Sequence, residues 1–314
     1  MKLFLLGKSA SVTHWLEDAA GGFRAAGHAV EVGFTRRPWL SPAAERALEG
    51  VFAAAITRRI RRFDPDLMLV IGAFHAPPAL LEAVAAIPGR APLVGWVGDL
   101  FDDSARSIAA LYDAVNYTDS GLVNLHATLS FAPPARFLPH AVTPAGAVAS
   151  DGARENRRVF IANPTPARRA VVDALTSRIT LYGPTWAPGP GVGHEIRGGR
   201  VGNHRLRGLY AAHALALNIR NERNVVSGLN QRNFEPCVAG AALITDAQAD
   251  LDRCFEPGVE VLAWHDVDEL NAHHARLLGA PDEAAAIGER GRRRVLADHT
   301  YARRLEVLTA RASR

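Results

Sequence analysis

The densest chemistry lies in one block. Residues 217–246 read Leu-Asn-Ile-Arg-Asn-Glu-Arg-Asn-Val-Val-Ser-Gly-Leu-Asn-Gln-Arg-Asn-Phe-Glu-Pro-Cys-Val-Ala-Gly-Ala-Ala-Leu-Ile-Thr-Asp. An apolar strand ending at Ile219 gives way to a loop of Asn and Arg, and the pattern then predicts a helix over Gln231–Ala239 closed by Gly240. A helix start offers unpaired N–H groups and partial positive charge, which suit a diphosphate without a metal. Arg232 in its first turn would add a charge-assisted bond. Glu235, one turn on, would accept bonds from a ribose diol, and Asn230 is placed to cap the helix or to meet the ligand. A second group of candidates is Asp99, Asp102 and Asp103, after an apolar strand, with His14 and His75. Any of these could take a proton from a hydroxyl.

Several chemistries are excluded. Gly7-Lys8-Ser9 resembles the end of a P-loop, but that motif needs a Gly at position 2, where Lys stands. Gly189-Pro-Gly-Val-Gly193 is glycine-rich without a helix after it, and neither a Gly-x-Ser-x-Gly elbow nor a His-Glu-x-x-His motif occurs. Asp250-Leu-Asp252 reads as capping rather than as a metal pair, so no metal site is expected. Cys237 and Cys254 read as small buried hydrophobes with no disulfide or zinc spacing.

The elements that must position these residues alternate in type. Strands are expected at Lys2–Leu6, Val30–Phe34, Leu67–Ile71, Leu93–Val97, Ala114–Tyr117 and Ala135–Phe137, with helices over Thr13–Ala26, Pro42–Phe63 and Pro78–Ala86 between them. After an irregular Pro144–Asn156, the rhythm restarts. Strands are expected at Arg158–Ala162, Thr180–Tyr182, Leu215–Ile219, Ala242–Thr245 and Val259–Ala263, with helices over Pro166–Thr176 and Arg207–Ala214. This predicts an α/β chain of two Rossmann-like domains, residues 1–150 and 151–299, with ligands at the carboxyl ends of the strands in a crevice between them. Residues 300–314 form a closing segment with an apolar stripe at Leu305, Val307, Leu308 and Ala312.

The 314 residues are 48% apolar and 22% charged, with a formal charge of +4 carried almost wholly by Arg. That is globular composition. No apolar run reaches the roughly 18–20 residues that span a bilayer, and the short N-terminal run reads as a strand, so a cytoplasmic protein is expected. The cluster Arg58-Arg-Ile-Arg-Arg62 reads as a solvated helix face, and there is no nucleic-acid signature.

The block resembles the CgeB-like glycosyltransferases of the spore maturation type, a group with the GT-B fold. The likeness rests on Leu217-Asn-Ile219, Asn230-Gln-Arg-Asn-Phe-Glu235, Ala239-Gly240, Leu243-Ile-Thr-Asp246, Phe255-Glu-Pro-Gly258, Gly291-Arg-x-Arg-Val295, His299-Thr-Tyr301 and Leu181-Tyr-Gly-Pro-x-Trp186. It is close over the last hundred residues and loose in the N-terminal half, where Ser9–Trp15 fits an acceptor loop and Gly98–Asp103 fits an aspartate-bearing turn. Ala162 stands where Gly is usual, and Arg220 where His is common.

The resemblance implies an enzyme that moves a sugar from a nucleotide-diphosphate sugar to an acceptor hydroxyl. No cofactor or metal is implied beyond the donor as co-substrate, and the acceptor (glycan, protein or small molecule) is open. It implies a nucleotide-sugar site built from Arg168, Tyr182, Gly183, Ile196, Arg197, Asn218, Arg220, Asn230, Arg232, Asn233, Phe234 and Glu235. In it, Glu235 would hold the ribose, Arg232 with the amides of Asn233 and Phe234 would hold the diphosphate, and Arg168 would be a second phosphate ligand. The backbone at Ile196-Arg197 would flank the base. It also implies that the last helix packs back on the first domain. A sugar-nucleotide 2-epimerase of the same fold and a non-catalytic sugar-nucleotide-binding protein are the alternatives.

Overall fold

A computed structural model describes residues 1–8, 15–36, 40–144, 154–222 and 224–309. The chain divides into two units, Met1–Pro139 with the helix that begins at Tyr301, and His140–Thr300.

The first unit runs β1 (Lys2–Lys8), α1 (Trp15–Ala25), β2 (Ala29–Arg36), α2 (Pro42–Ala47), α3 (Glu49–Phe63), β3 (Leu67–Ile71), α4 (Pro78–Ala85), β4 (Leu93–Val97), α5 (Arg106–Ala109), β5 (Ala114–Tyr117), α6 (Ser120–Thr128) and β6 (Ala135–Phe137). The strands form one parallel sheet in the order β2-β1-β3-β4-β5-β6. Every residue of β3 and β4 is buried, as their unbroken apolar runs require of strands covered by helices on both faces. The core joins Phe4 and Leu6 of β1 to Ile56 and Ile60 of α3 and to Leu80, Leu81 and Val84 of α4.

The second unit runs β7 (Glu155–Ile161), α7 (Pro166–Asp173), β8 (Thr180–Tyr182), β9 (Glu195–Ile196), α8 (Asn203–Ala212), β10 (His213–Asn218), α9 (Glu235–Val238), β11 (Ala242–Asp246), β12 (Leu262–Trp264), α10 (Val267–Gly279) and α11 (Pro281–Asp298). Its strands, also parallel, are ordered β12-β11-β10-β7-β8-β9. The order reverses between β7 and β10, the point where open α/β sheets present their ligand crevice.

The helix α12 (Tyr301–Thr309) returns the chain to the first unit. Tyr301 is fully buried, its ring 5.5 Å from Phe23 and 6.3 Å from Trp96, and Arg304 Nε donates to the Pro139 carbonyl at 2.7 Å. Gly22 of α1 makes room for this docking, since a Cβ there would meet the Tyr301 ring at 2.4 Å. Leu305 and Leu308 are buried but Val307 is exposed, so the buried stripe is Tyr301, Leu305 and Leu308, one helical face. Ala312 lies outside the described residues.

Other elements differ from expectation. The single helix over Pro42–Phe63 is two, broken at Leu48, whose φ of −102° and ψ of 2° leave the helical region while its N–H still bonds back to Ala44. The expected helix Arg207–Ala214 begins earlier and ends at Ala212, because β10 already starts at His213. The last strand is Leu262–Trp264 rather than Val259–Ala263. Much of the expected link Pro144–Asn156 lies outside the described residues, and β7 already begins at Glu155. Arg58, Arg59, Arg61 and Arg62 are exposed around buried Ile60, so that cluster is a solvated face. Both cysteines are buried. No helix of the described residues is long and apolar enough to cross a membrane.

Candidate functional site

The second unit gathers its polar residues at the carboxyl ends of β7, β10 and β11. Arg168 sits in the first turn of α7, whose start is capped by Thr165 Oγ1 at 3.2 Å from the Arg168 N–H. Its side chain is not on the surface; it is 3% exposed. Nε donates to the Ile219 carbonyl at 3.0 Å and Nη1 to the Asn163 carbonyl at 3.0 Å, which aims the guanidinium across the ends of β7 and β10. Nη2 is buried with no partner. Burial first, and then the like charge of Arg232, bring Arg168 down to about 9, with Glu222 and Asp246 opposing. The Arg232 guanidinium is therefore close enough to be felt by Arg168, with the carboxylates of Glu222 and Asp246 partly offsetting it.

Arg232 and Asn230 lie on the segment that was expected to be one helix. It is instead a 3₁₀ turn, Gln231–Asn233, followed by the four-residue α9. Pro236 stands in the first turn of α9, where its missing N–H is no loss, and Phe234 joins the two turns. This corrects the account of the diphosphate. The Arg232 N–H is taken by Asn230 Oδ1 at 2.9 Å, that of Asn233 by the Asn230 carbonyl at 3.0 Å and that of Phe234 by the Gln231 carbonyl at 2.9 Å. The amides of Asn233 and Phe234 are spent inside the turn, and a four-residue helix has little dipole to offer. What remains is on side chains. Arg232 Nε and Asn230 Nδ2 are buried and unpartnered, like Arg168 Nη2. Such orphans are rare and call for an explanation.

A buried network holds the turn in place. Asn233 and Asn218 are fully buried. Asn218 Nδ2 donates to Asn233 Oδ1 at 3.1 Å and to Thr245 Oγ1 at 3.2 Å, and Asn233 Nδ2 donates to Thr245 Oγ1 at 2.9 Å. Asn233 Oδ1 also accepts from the Asn230 N–H, completing a reciprocal cap with the Asn230 side chain. The Phe234 ring is core, 5.5 Å from Phe255 and 5.0 Å from His299, and so anchors the turn rather than touching a ligand. Asn218, Asn233 and Phe234 thus brace this turn. Glu235 is half-buried beside Tyr210, whose phenol is pushed up by burial and then by the Glu235 charge, with Arg232 opposing.

Arg220 lies over Asp246. Its N–H donates to Asp246 Oδ1 at 3.1 Å, and its Nε is 3.5 Å from Oδ2. Burial raises Asp246 to about 6 against these opposing contacts. Sequence alone assigns Asp246 no role beyond its place in Leu243-Ile-Thr-Asp246. An acid ending an otherwise apolar strand was the signal. Arg205, also without an assigned role, lies 5.6 Å over the ring of Tyr182. Gly183 follows with φ +150°, where a Cβ would meet the Ala162 carbonyl oxygen at 2.1 Å, so only Gly fits. Ile196 packs on the core, and its neighbour Arg197 pairs with Glu195 while its N–H donates to the Leu181 carbonyl at 2.9 Å. The Arg197 amide is therefore engaged in the sheet.

In the first unit, the expected proton acceptors separate. Asp102 caps the next turn through the Ser104 N–H at 2.9 Å, and Asp103 pairs with Arg106. Asp99, just beyond β4, meets His75, just beyond β3, with Oδ2 3.2 Å from Nε2. His14 lies outside the described residues. Among the described residues no three His, Cys, Asp or Glu side chains form a group able to hold a metal ion.

Residues 157–310 match the family model described as glycosyl transferase-like. A comparison with curated protein sequences finds no match. Among solved structures, a sucrose-phosphate synthase from Thermosynechococcus elongatus is similar over 98% of each chain, at a TM-score of 0.68 and 14% identity. The Anabaena protein HepE, solved in complex with UDP, is similar over 100% of each chain, at 0.66 and 13%. AviGT4, a glycosyltransferase involved in avilamycin A biosynthesis, is similar over 100% of this chain and 97% of its own, at 0.65 and 17%. Residues 157–310 are thus similar to the glycosyl transferase-like proteins, and the chain as a whole has the fold of the GT-B glycosyltransferases, two Rossmann-like domains each built on a parallel sheet.

Proposed function

We propose that the chain is a glycosyltransferase, of the CgeB-like kind its motifs resemble, that moves a sugar from a nucleotide-diphosphate sugar to an acceptor hydroxyl. The observation that carries this is the trio of buried, unpartnered donors at the switch point of the second sheet: Arg168 Nη2, Arg232 Nε and Asn230 Nδ2. Two close guanidinium groups in a dry setting want an anion with several acceptor oxygens, and a diphosphate supplies them. Glu235, next to this trio in sequence and half-buried, is the acceptor for a ribose diol. HepE, similar in fold, was solved with UDP and with UDP-glucose.

In the transfer, the bond between the anomeric carbon and the diphosphate oxygen breaks. The electron pair stays on the diphosphate, which Arg168 and Arg232 stabilise. The acceptor oxygen forms the new bond to the anomeric carbon and gives up its proton. His75 takes that proton. Asp99 holds Nε2–H, which fixes the tautomer and leaves the Nδ1 lone pair as the base. Charge neutralisation by Arg makes transfer independent of added metal.

The test is turnover with a panel of UDP-, GDP- and dTDP-sugars, each with mixed hydroxyl acceptors and each repeated in EDTA. Release of nucleoside diphosphate that depends on an acceptor and survives EDTA supports the reading. Conversion of the sugar nucleotide to an isomer without acceptor would make the chain an epimerase instead, and binding without turnover would make it a binding protein.

A further inference from the structure

The first unit contains a cavity of about 360 Å³ between β2, α2, α3, α4 and the turn that carries His75. Its wall is mostly carbon, including Phe34, Phe52, Ile56, Phe74, Leu80 and Ile108. Five of the fifteen lining residues are polar: Thr35, Glu45, Arg46, Glu49 and His75. Phe34 is 37% exposed in spite of its size, a cost in water that a ligand would remove. His75 is common to this wall and to the contact with Asp99.

We propose that this cavity seats the acceptor, and that the acceptor is a lipophilic alcohol or phenol with a body of about two rings, rather than a sugar or a peptide. The inference rests on the glycosyltransferase reading and names the substrate class of its acceptor side. Three observations carry it. The volume falls in the roughly 300–1,000 Å³ range of small-molecule sites and is about twice the ~150 Å³ that holds one benzene ring. A mostly apolar wall gains from burying an aromatic or aliphatic body, whereas a sugar laid against it would have to place all its ring hydroxyls on the five polar residues to replace their water. The one histidine in the wall is the one held by Asp99, so a hydroxyl on a body filling the cavity meets a base. On transfer the hydroxyl oxygen bonds to the anomeric carbon, the diphosphate departs with the electron pair, and the proton passes to His75 Nδ1.

The experiment measures binding of 2-naphthol and of methyl glucoside to the full chain without donor, and of UDP separately, by titration calorimetry. Two variants accompany the parent. Ala53→Phe fills the cavity, and Phe52→Ser makes its wall polar, with folding of each checked by its melting curve. The expected result is saturable 2-naphthol binding to the parent, at least tenfold weaker in one or both folded variants, with UDP affinity unchanged and methyl glucoside weak throughout. No saturable binding of 2-naphthol to the parent, equal binding by the parent and both variants, or preference for the glucoside would overturn the proposal. Failure of UDP to bind the parent would instead strike the donor reading, because the naphthol titration contains no nucleotide.

Discussion

Replacing Arg168 separates a binding role from a structural one. Arg168→Met keeps much of the volume of a side chain that is 3% exposed, and removes its charge and its three donor nitrogens. Two bonds to backbone carbonyls are lost, those to Ile219 and Asn163. At a net of about 1 kcal/mol each, that is a loss of about 2 kcal/mol in the free protein. Against it stands relief of a charge whose burial holds the guanidinium down to about 9 from 12.5, a cost on the order of a few kcal/mol. The two offset, so the free variant should unfold at the same temperature as the parent or slightly above it. Binding has no such offset. A charge-assisted bond to a diphosphate is worth about 1.5–3 kcal/mol, which at ~1.4 kcal/mol per decade means an affinity about 10- to 150-fold lower. Titration calorimetry with UDP and chemical denaturation of the same samples read the two quantities. A variant that binds UDP within threefold of the parent but has lost 3 kcal/mol or more of stability would refute the reasoning and make Arg168 a core residue that happens to be charged.

Other outcomes follow from the same geometry. Arg232→Ala and Glu235→Ala should each lose most transfer, at about 1.5–3 kcal/mol apiece, with circular dichroism unchanged; activity within twofold of the parent in both would remove them from the site. Asp246 is held at about 6, above its ordinary 3.8, so the folded chain keeps this proton longer than the unfolded chain does. Its contribution to stability therefore falls as pH rises from ~4 to ~6 and is flat above ~7. Asp246→Asn should gain on the parent across that window by at most about 3 kcal/mol, measured by denaturation at each pH, and a constant difference would show that the carboxyl titrates normally. Gly183→Ala should cost about 2 kcal/mol or more, because its Cβ would meet the Ala162 carbonyl oxygen and the backbone would be held at φ +150°; a melting temperature equal to the parent's would mean the turn yields freely.

Much of the fold was legible because burial writes a plain signal. Leu67–Ile71 and Leu93–Val97 are unbroken apolar runs, and runs of that length beside helical periodicity leave little choice but interior parallel strands. The return of Tyr301 to the first unit was legible in part, through the resemblance and Leu305 and Leu308, while the stripe's Tyr301 and the gap at Gly22 needed coordinates. Helix ends were harder. Leu48 is a good helix former, and nothing in the local sequence marks the break there. At the proposed site, residue types pointed to one block, and which of its donors are left unpartnered needed coordinates. Asn230 was open to capping or binding, and its side chain divides the two: Oδ1 caps and Nδ2 is unpartnered. The burial of Arg168 is not legible locally, because arginine is seldom buried and its partners here are carbonyls 5 and 51 residues away in the chain. His75 and Asp99 are 24 residues apart, and only the adjacency of β3 and β4 joins them.

The central claim is that the second unit holds a nucleotide diphosphate through side chains rather than helix amides. A crystal structure of the chain soaked with UDP tests it most directly. The account expects diphosphate oxygens within hydrogen-bond distance of Arg168 Nη2, Arg232 Nε and Asn230 Nδ2, with the amides of Asn233 and Phe234 still bonded within their turn. A diphosphate bound elsewhere, with those three donors still unpartnered, would contradict it.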